Sequence, residues 1–313
     1  MKRDIEIEVK EPVVLQGSGL VYGQLPYWCE SSFRPLTLTL LRNRAYYDFD
    51  PPAEKQPLIL FLCGGGWSAV DENVWLPELS WYAKRGFAVA SVRYSVSGQR
   101  KFPAQIGEIR QAIRFLRAHA DELRLDSDFI AIMGESGGGH LAAITALAGE
   151  RMDFDTKEYS EYSNNVSCAV IFYAVVDVLD REGRGDIASY KDRPQFIRRG
   201  NIPTQELLLW HKNLYEKPEL AATADPRYYI REDAPPFMLL YGTDDIRVPI
   251  YNGDIFYKAL CNANVPTEYI RVLGGRHGGA QFFQEETKEM ILGFLRNNLN
   301  LAKGDSDYGA DAD

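Results

Sequence analysis

Histidine and cysteine are scarce in this chain, with four of each among 313 residues. The cysteines (Cys29, Cys63, Cys168 and Cys261) are scattered, without the close spacing of a zinc site, and read as reduced buried thiols rather than disulfides. No metal ligand set is visible, and no metal or organic cofactor is expected. Long apolar runs are also missing, and none approaches the length of a membrane helix, about 20 residues. Met1 to Lys10 alternate apolar with charged side chains and hold no apolar signal core. The alternation predicts a strand, and the two absences together place the protein in the cytoplasm, off the membrane. Basic charge is outweighed: 35 Lys and Arg face 44 Asp and Glu, for a net charge of −9. An acidic surface repels nucleic acid and anionic lipid alike, so neither is expected as a partner. Four of the acids sit in Gly304 to Asp313, a stretch too poor in apolar surface to order itself. The expectation is one domain over 1–303 with an acidic, disordered tail at 304–313; homo-oligomerisation is left open.

What the chain does have is 45% hydrophobic residues, enough for a large core. Its first fifty residues read as β meander, with Leu36, Leu38 and Leu40 alternating with threonines. From Leu58 onward apolar runs predict strands at 58–63, 87–94, 129–133, 168–176, 236–241 and 268–273. Between them, helical patterns occupy 76–85, 103–120, 136–149, 250–263 and 282–299. Strands alternating with helices imply an α/β protein with a mostly parallel, doubly wound sheet, preceded by antiparallel N-terminal strands. Residues 177–233 break this rhythm with charges, prolines and one short helical stretch near 205–214, as a cap-like insertion on the rim would. Ligands of such sheets bind beyond the carboxyl ends of the strands.

On that rim lies Gly134-Glu135-Ser136-Gly137-Gly138, between a strand pattern and an alanine-rich helix pattern. Strand, sharp turn and helix around G-x-S-x-G describe a nucleophile elbow, where the missing Cβ atoms let the serine project. A serine hydroxyl needs a base, and the base an orienting group. Of the histidines, His119 falls on the solvent side of a helix, and His140 follows the elbow as a supporting residue. His211 lies in the insertion without an evident partner. His277, in Gly274-Gly275-Arg276-His277-Gly278-Gly279 after the last strand, sits on a loop able to reach Ser136. An acid from Asp244 or Asp245, after the preceding strand, completes the order Ser, Asp, His. Cys63-Gly64-Gly65-Gly66-Trp67 ends an earlier strand, and its amides, with that of Gly137, suit a developing oxyanion.

With these residues in place, the chain resembles the α/β-hydrolase esterases of the hormone-sensitive-lipase and feruloyl/acetylxylan-esterase-like group. Their marks are a His-Gly-Gly-Gly-Trp loop, the elbow, a Gly-Thr-x-Asp-x-x-Val-Pro segment and a Gly-His-Gly loop. The resemblance makes Ser136 the nucleophile, Asp245 the acid and His277 the base, with Gly65, Gly66 and Gly137 as oxyanion donors. Asp245 is preferred to Asp244 because it stands three residues before Val248, as in the family's segment. The departure is Cys63, where the family carries a loop-tying histidine. The implied activity is a serine carboxylesterase acting on small acyl esters through an acyl-enzyme, with acetylated or feruloylated carbohydrate fragments as candidate substrates. A small amidase or formamidase of the same fold and a non-catalytic ligand-binding relative are the alternatives. Trp67, Glu135 and Trp75 are expected to wall the substrate pocket, with Tyr190, Phe196 and Trp210 contributed by the insertion.

Overall fold

The computed structural model describes residues 1–8, 10–26, 32–43, 55–149, 151, 154, 156–180, 204–211 and 214–303. Among them, eight strands form a single sheet: β1 (Val14–Pro26), β2 (Phe33–Asn43), β3 (Gln56–Leu62), β4 (Ala88–Val92), β5 (Leu125–Glu135), β6 (Cys168–Phe172), β7 (Phe237–Gly242) and β8 (Thr267–Val272). Their order is β1-β2-β4-β3-β5-β6-β7-β8, with the β1–β2 and β2–β4 pairings antiparallel and the remaining five parallel. The expected doubly wound sheet is the observed one. Strands β3, β4, β6 and β7 are buried along their whole length, which explains why their sequences are continuous apolar runs rather than alternations.

Helices cover both faces: α1 (Leu76–Lys84), α2 (Ala104–Ala118), α3 (Ala120–Leu123), α4 (Ser136–Ala148), α5 (Thr204–Leu209), α6 (Pro218–Ala222), α7 (Tyr251–Asn262) and α8 (Glu285–Lys303). Helices α1 and α8 share one face and are cross-linked there by Lys288–Glu78 and Arg85–Glu285 ion pairs. Helix α4 lies against β5 and β6 on the other face and is buried throughout its length after Ser136, which its alanines and glycines permit by their small size.

Three expectations are corrected. The stretch Met1–Glu8 is not a strand, and Ile5 and Ile7 are 75% and 73% exposed. Alternation alone does not make a strand without a neighbour to pair with. The strand read to Val176 stops at Phe172, where Tyr173 turns into the left-handed region at φ 32°. The pattern at 103–120 is that of an amphipathic helix, with Ile109, Ala112, Ile113 and Leu116 on one face, yet α2 also buries Glu108, Arg110, Gln111 and Arg114. Those guanidiniums donate to the carbonyls of Arg151 (2.6 Å) and Thr156 (3.1 Å), so burial leaves their charge partnered. Tyr190, Phe196 and the tail at 304–313 lie outside the described residues. The described parts of the insertion pack on the carboxyl rim: Phe102 N–H donates to Leu208 and Trp210 Nε1–H to the carbonyl of Ser97.

Candidate active site

Strand β5 ends at Glu135 and helix α4 begins at Ser136 with no residue between them. The turn this demands puts Ser136 at φ 53°, in the left-handed region. Such strain costs a non-glycine residue on the order of 1–3 kcal/mol and is held by surrounding packing. The packing is tight enough to forbid a side chain at Gly138, whose Cβ would come within 2.2 Å of the Leu62 carbonyl. The helix therefore starts directly against the end of β3.

Ser136 Oγ lies 2.9 Å from His277 Nε2. On the far side of the ring, His277 Nδ1 lies 2.6 Å from Asp245 Oδ2. The carboxylate is itself oriented, since Asp245 Oδ1 accepts from the N–H groups of Arg247 (2.8 Å) and Val248 (2.9 Å). Asp245 is 5% exposed, whereas Asp244 faces solvent and, among the described residues, its carboxylate accepts from the neighbouring Thr243 hydroxyl alone. The two loops are joined by backbone bonds, Thr243 N–H to Val272 and Asp244 N–H to Gly275, and Gly275 N–H closes the second loop on Val272. Gly274 N–H adds a bond to Thr243 Oγ1. Tyr173 closes one side of the imidazole, its ring T-shaped against His277 at 4.8 Å between centroids. Sequence reasoning missed Tyr173, because nothing in the apolar run marks where the strand turns.

The glycine loop faces the elbow. A Cβ on Gly137 would lie 3.1 Å from Trp67 N and 3.4 Å from Gly66 N. Two loop amide nitrogens and the first residue of the α4 turn after Ser136 thus converge. Gly65, at φ 128°, makes the turn itself, and its carbonyl accepts from Ser68 and Ala69. The Trp67 amide was not anticipated, although it directly follows the glycines. The loop is tied down from several sides. Tyr94 Oη donates to the Cys63 carbonyl (2.6 Å), Ser97 donates twice to the Trp67 carbonyl, and Gly64 N–H donates to Glu135 Oε1. The insertion reaches the same place, with the Thr204 methyl beside Gly66.

Trp67 does not wall a pocket. Its side chain is 1% exposed because the left-handed turn (φ 57°) sends the indole inward, where Nε1–H donates to His140 Nδ1 at 3.2 Å. Glu135 borders a narrow crevice with Phe61, Met133, Phe172, Phe282 and Phe283. Trp75 is half-buried, stacked on Phe283 at 4.3 Å. His140 is fully buried between Trp67 and the Ala224 carbonyl, and burial pushes its pKa down to about 4, so it is neutral near pH 7. His119 is half-buried against Phe115 and pairs with Glu122, and His211 lies partly exposed after α5. Cys63 is buried with Sγ 3.8 Å from Glu135, and burial, then the nearby Glu135 charge, pushes its thiol up to about 12. Among the described residues no group of three or more His, Cys, Asp or Glu is placed to hold a metal, and no helix is long and apolar enough to cross a membrane.

Known proteins share this arrangement of strands and helices. A truncated carbohydrate esterase from gut microbiota superposes with a TM-score of 0.74 at 22% identity, covering 91% of this chain and 96% of that one. Butyrate-bound Est2 of Thermogutta terrifontis gives 0.65 at 24% identity, covering 93% and 96%. At such identities the likeness is one of fold, the α/β-hydrolase fold. In sequence, esterase LipC of Mycobacterium tuberculosis is 26% identical over 231 residues, 73% of this chain and 54% of that protein. An acetylxylan esterase of Xylanibacter ruminicola is 25% identical over 219 residues, 69% of this chain and 39% of that protein. The chain spans about half the length of the curated relatives it matches. The model of one family, BD-FAE, matches residues 48–260, more than half of the chain, and the chain belongs to that family.

Proposed function

We propose that this chain is a serine carboxylesterase that cleaves small acyl esters, acetylated carbohydrate fragments among them, by way of an acyl-enzyme. The observation that carries the reading is the unbroken contact from Ser136 Oγ through His277 to Asp245, at 2.9 and 2.6 Å. His277 Nε2 takes the Ser136 proton as Oγ bonds to the ester carbonyl carbon. Asp245 keeps the remaining ring proton on Nδ1 and stabilises the imidazolium. The carbonyl oxygen, now an anion, receives the N–H groups of Gly137 and Gly66, with Trp67, whose nitrogen lies beside Gly137, in the place expected of Gly65. Each such donor is worth about 3 kcal/mol of barrier. The C–O bond to the alcohol then breaks, His277 returns the proton to the departing oxygen, and the acyl group stays on Ser136. Water attacks the acyl carbon in turn, giving a proton to His277; the bond to Ser136 Oγ then breaks, His277 returns the proton to that oxygen, and the acid leaves. The rings of Trp75, Phe172, Phe282 and Phe283 crowd together next to Glu135, which favours short acyl groups. Among the described residues the thiols of Cys63, Cys168 and Cys261 are free, Cys261 being exposed rather than buried as expected. Free thiols suit a reducing compartment, and we place the protein in the cytoplasm on that ground.

A substrate panel tests the proposal: nitrophenyl esters from acetyl to octanoyl, methyl ferulate, acetylated xylo-oligosaccharides and a nitroanilide. The expected result is kcat/KM highest for acetyl and falling with chain length, with acetylated xylo-oligosaccharides deacetylated. Turnover of the anilide without the esters would make the protein an amidase instead.

A further inference from the structure

We infer that Glu135 is a positioning residue: through its reach rather than its charge, it sets the distance between the nucleophile and the amides that face it. This rests on the esterase reading above. Glu135 is the residue before Ser136, and its backbone is fixed in β5 opposite Phe172 of β6. Its side chain runs sideways to the glycine loop, and one oxygen, Oε1, gathers three donors. These are the Gly64 N–H at 2.5 Å, the Trp75 Nε1–H at 3.2 Å and the Cys63 thiol at 3.8 Å. The side chain is 9% exposed, so the bonds do not compete with bulk water.

Two features make this contact a spacer. A Cβ on Gly64 would fall 2.5–2.7 Å from the Glu135 carboxylate, so glycine is what lets the loop sit at this separation. Two and three residues further on, the Gly66 and Trp67 amides stand beside Gly137, which follows Ser136. One side chain therefore connects the two parts whose spacing decides whether the amides meet an oxyanion on the carbon bonded to Ser136. A misplacement of about 1 Å can cost about 100-fold in rate. Cys63 sharpens the point. Where the resembling esterases have a histidine able to tie the loop, this chain has a thiol, a weak donor. The Gly64 N–H bond to the Glu135 carboxylate is the stronger of the two contacts this oxygen makes with the start of the loop.

Three substitutions separate reach from charge. Glu135→Gln keeps the length and one acceptor oxygen but removes the charge. Glu135→Asp keeps the charge but falls one methylene short of Gly64. Trp75→Phe keeps the stack on Phe283 and removes one donor. The readout is kcat and KM for nitrophenyl acetate per serine titrated with a fluorophosphonate, which discounts any unfolded fraction. Expected are a kcat within about threefold of wild type for Glu135→Gln and a fall of about 30- to 100-fold for Glu135→Asp. Trp75→Phe should lose two- to fivefold in kcat, roughly, and KM should change little throughout. If Glu135→Asp retains kcat as well as Glu135→Gln does, or the losses appear in KM, the spacer role is overturned; should one variant not fold, the other two decide it by the same criteria. Wild-type hydrolysis that survives Ser136→Ala would instead remove the esterase reading, and the spacer with it.

Discussion

The two halves of the site are held in opposite ways. The serine half is sunk in the protein: Gly137, Gly138, His140 and Trp67 are buried, and side-chain bonds from Tyr94, Ser97, Glu135 and Trp67 itself fix the loop. The imidazole half rides on surface loops, where Asp244, Ile246, Arg247, Gly274, Arg276 and Gly278 are exposed. Its order comes from a few backbone bonds between residues 242–245 and 272–275. The division suits the chemistry. The nucleophile and oxyanion donors gain from fixed geometry, while the base must meet both the leaving alcohol and incoming water. Substitutions in the loop half should therefore change rate without changing stability, and those in the buried half should couple the two.

The largest expected effect belongs to the loop half. His277→Ala should lower kcat/KM by about 10⁴- to 10⁶-fold, while the melting temperature stays within a few degrees of wild type. A large drop in melting temperature would break the contrast between the halves. Next comes a pair of isosteric changes in one loop. Asp245→Asn removes the acceptor at His277 Nδ1 and should cost about 10³- to 10⁴-fold, whereas exposed Asp244→Asn should stay within about threefold. Equal losses would mean that the loop is read in the wrong register.

For the buried half the expected effect is on stability. Folded His140, its pKa pushed down to about 4, binds its proton far less readily than the unfolded chain, where histidine titrates at about 6.5. Between those values the unfolded state holds more protons, so stability falls as pH drops through the window and is unaffected above it. The loss should reach about 3 kcal/mol near pH 4. His140→Gln should flatten that part of the pH profile in urea unfolding; an unchanged slope assigns it to other groups. The smallest effect is reserved for Cys63. Cys63→Ser should keep activity within about tenfold. At pH 8 a thiol pushed up to about 12 is ionised in roughly one molecule in ten thousand. Iodoacetamide should accordingly label the exposed Cys261 and spare Cys63, as peptide mass spectrometry would show.

The same contrast explains what could be read in advance. Ser136 is legible because strand, glycines and helix leave a local pattern, and His277 and Asp245 because a parallel sheet brings successive strand ends to one rim. Directions of side chains were less legible. An aromatic beside glycines, such as Trp67, gives no sign of whether a left-handed turn will send it outward or into the core. Arg110 and Arg114 have the helical spacing of a solvent face, and their burial is made tolerable by distant carbonyls, those of Gly149 and Arg151 for Arg110 and that of Thr156 for Arg114. Tyr173 continues an apolar run, and its turn beside His277 depends on packing that no local pattern encodes.

The central claim, that Ser136 Oγ is the attacking atom and His277 its base, is tested most directly by locating the adduct of a fluorophosphonate by peptide mass spectrometry. The account predicts one adduct, on the peptide carrying Ser136, formed rapidly in wild type, far more slowly in His277→Ala and not at all in Ser136→Ala. An adduct on any other residue, or ester hydrolysis that persists in Ser136→Ala, would contradict it.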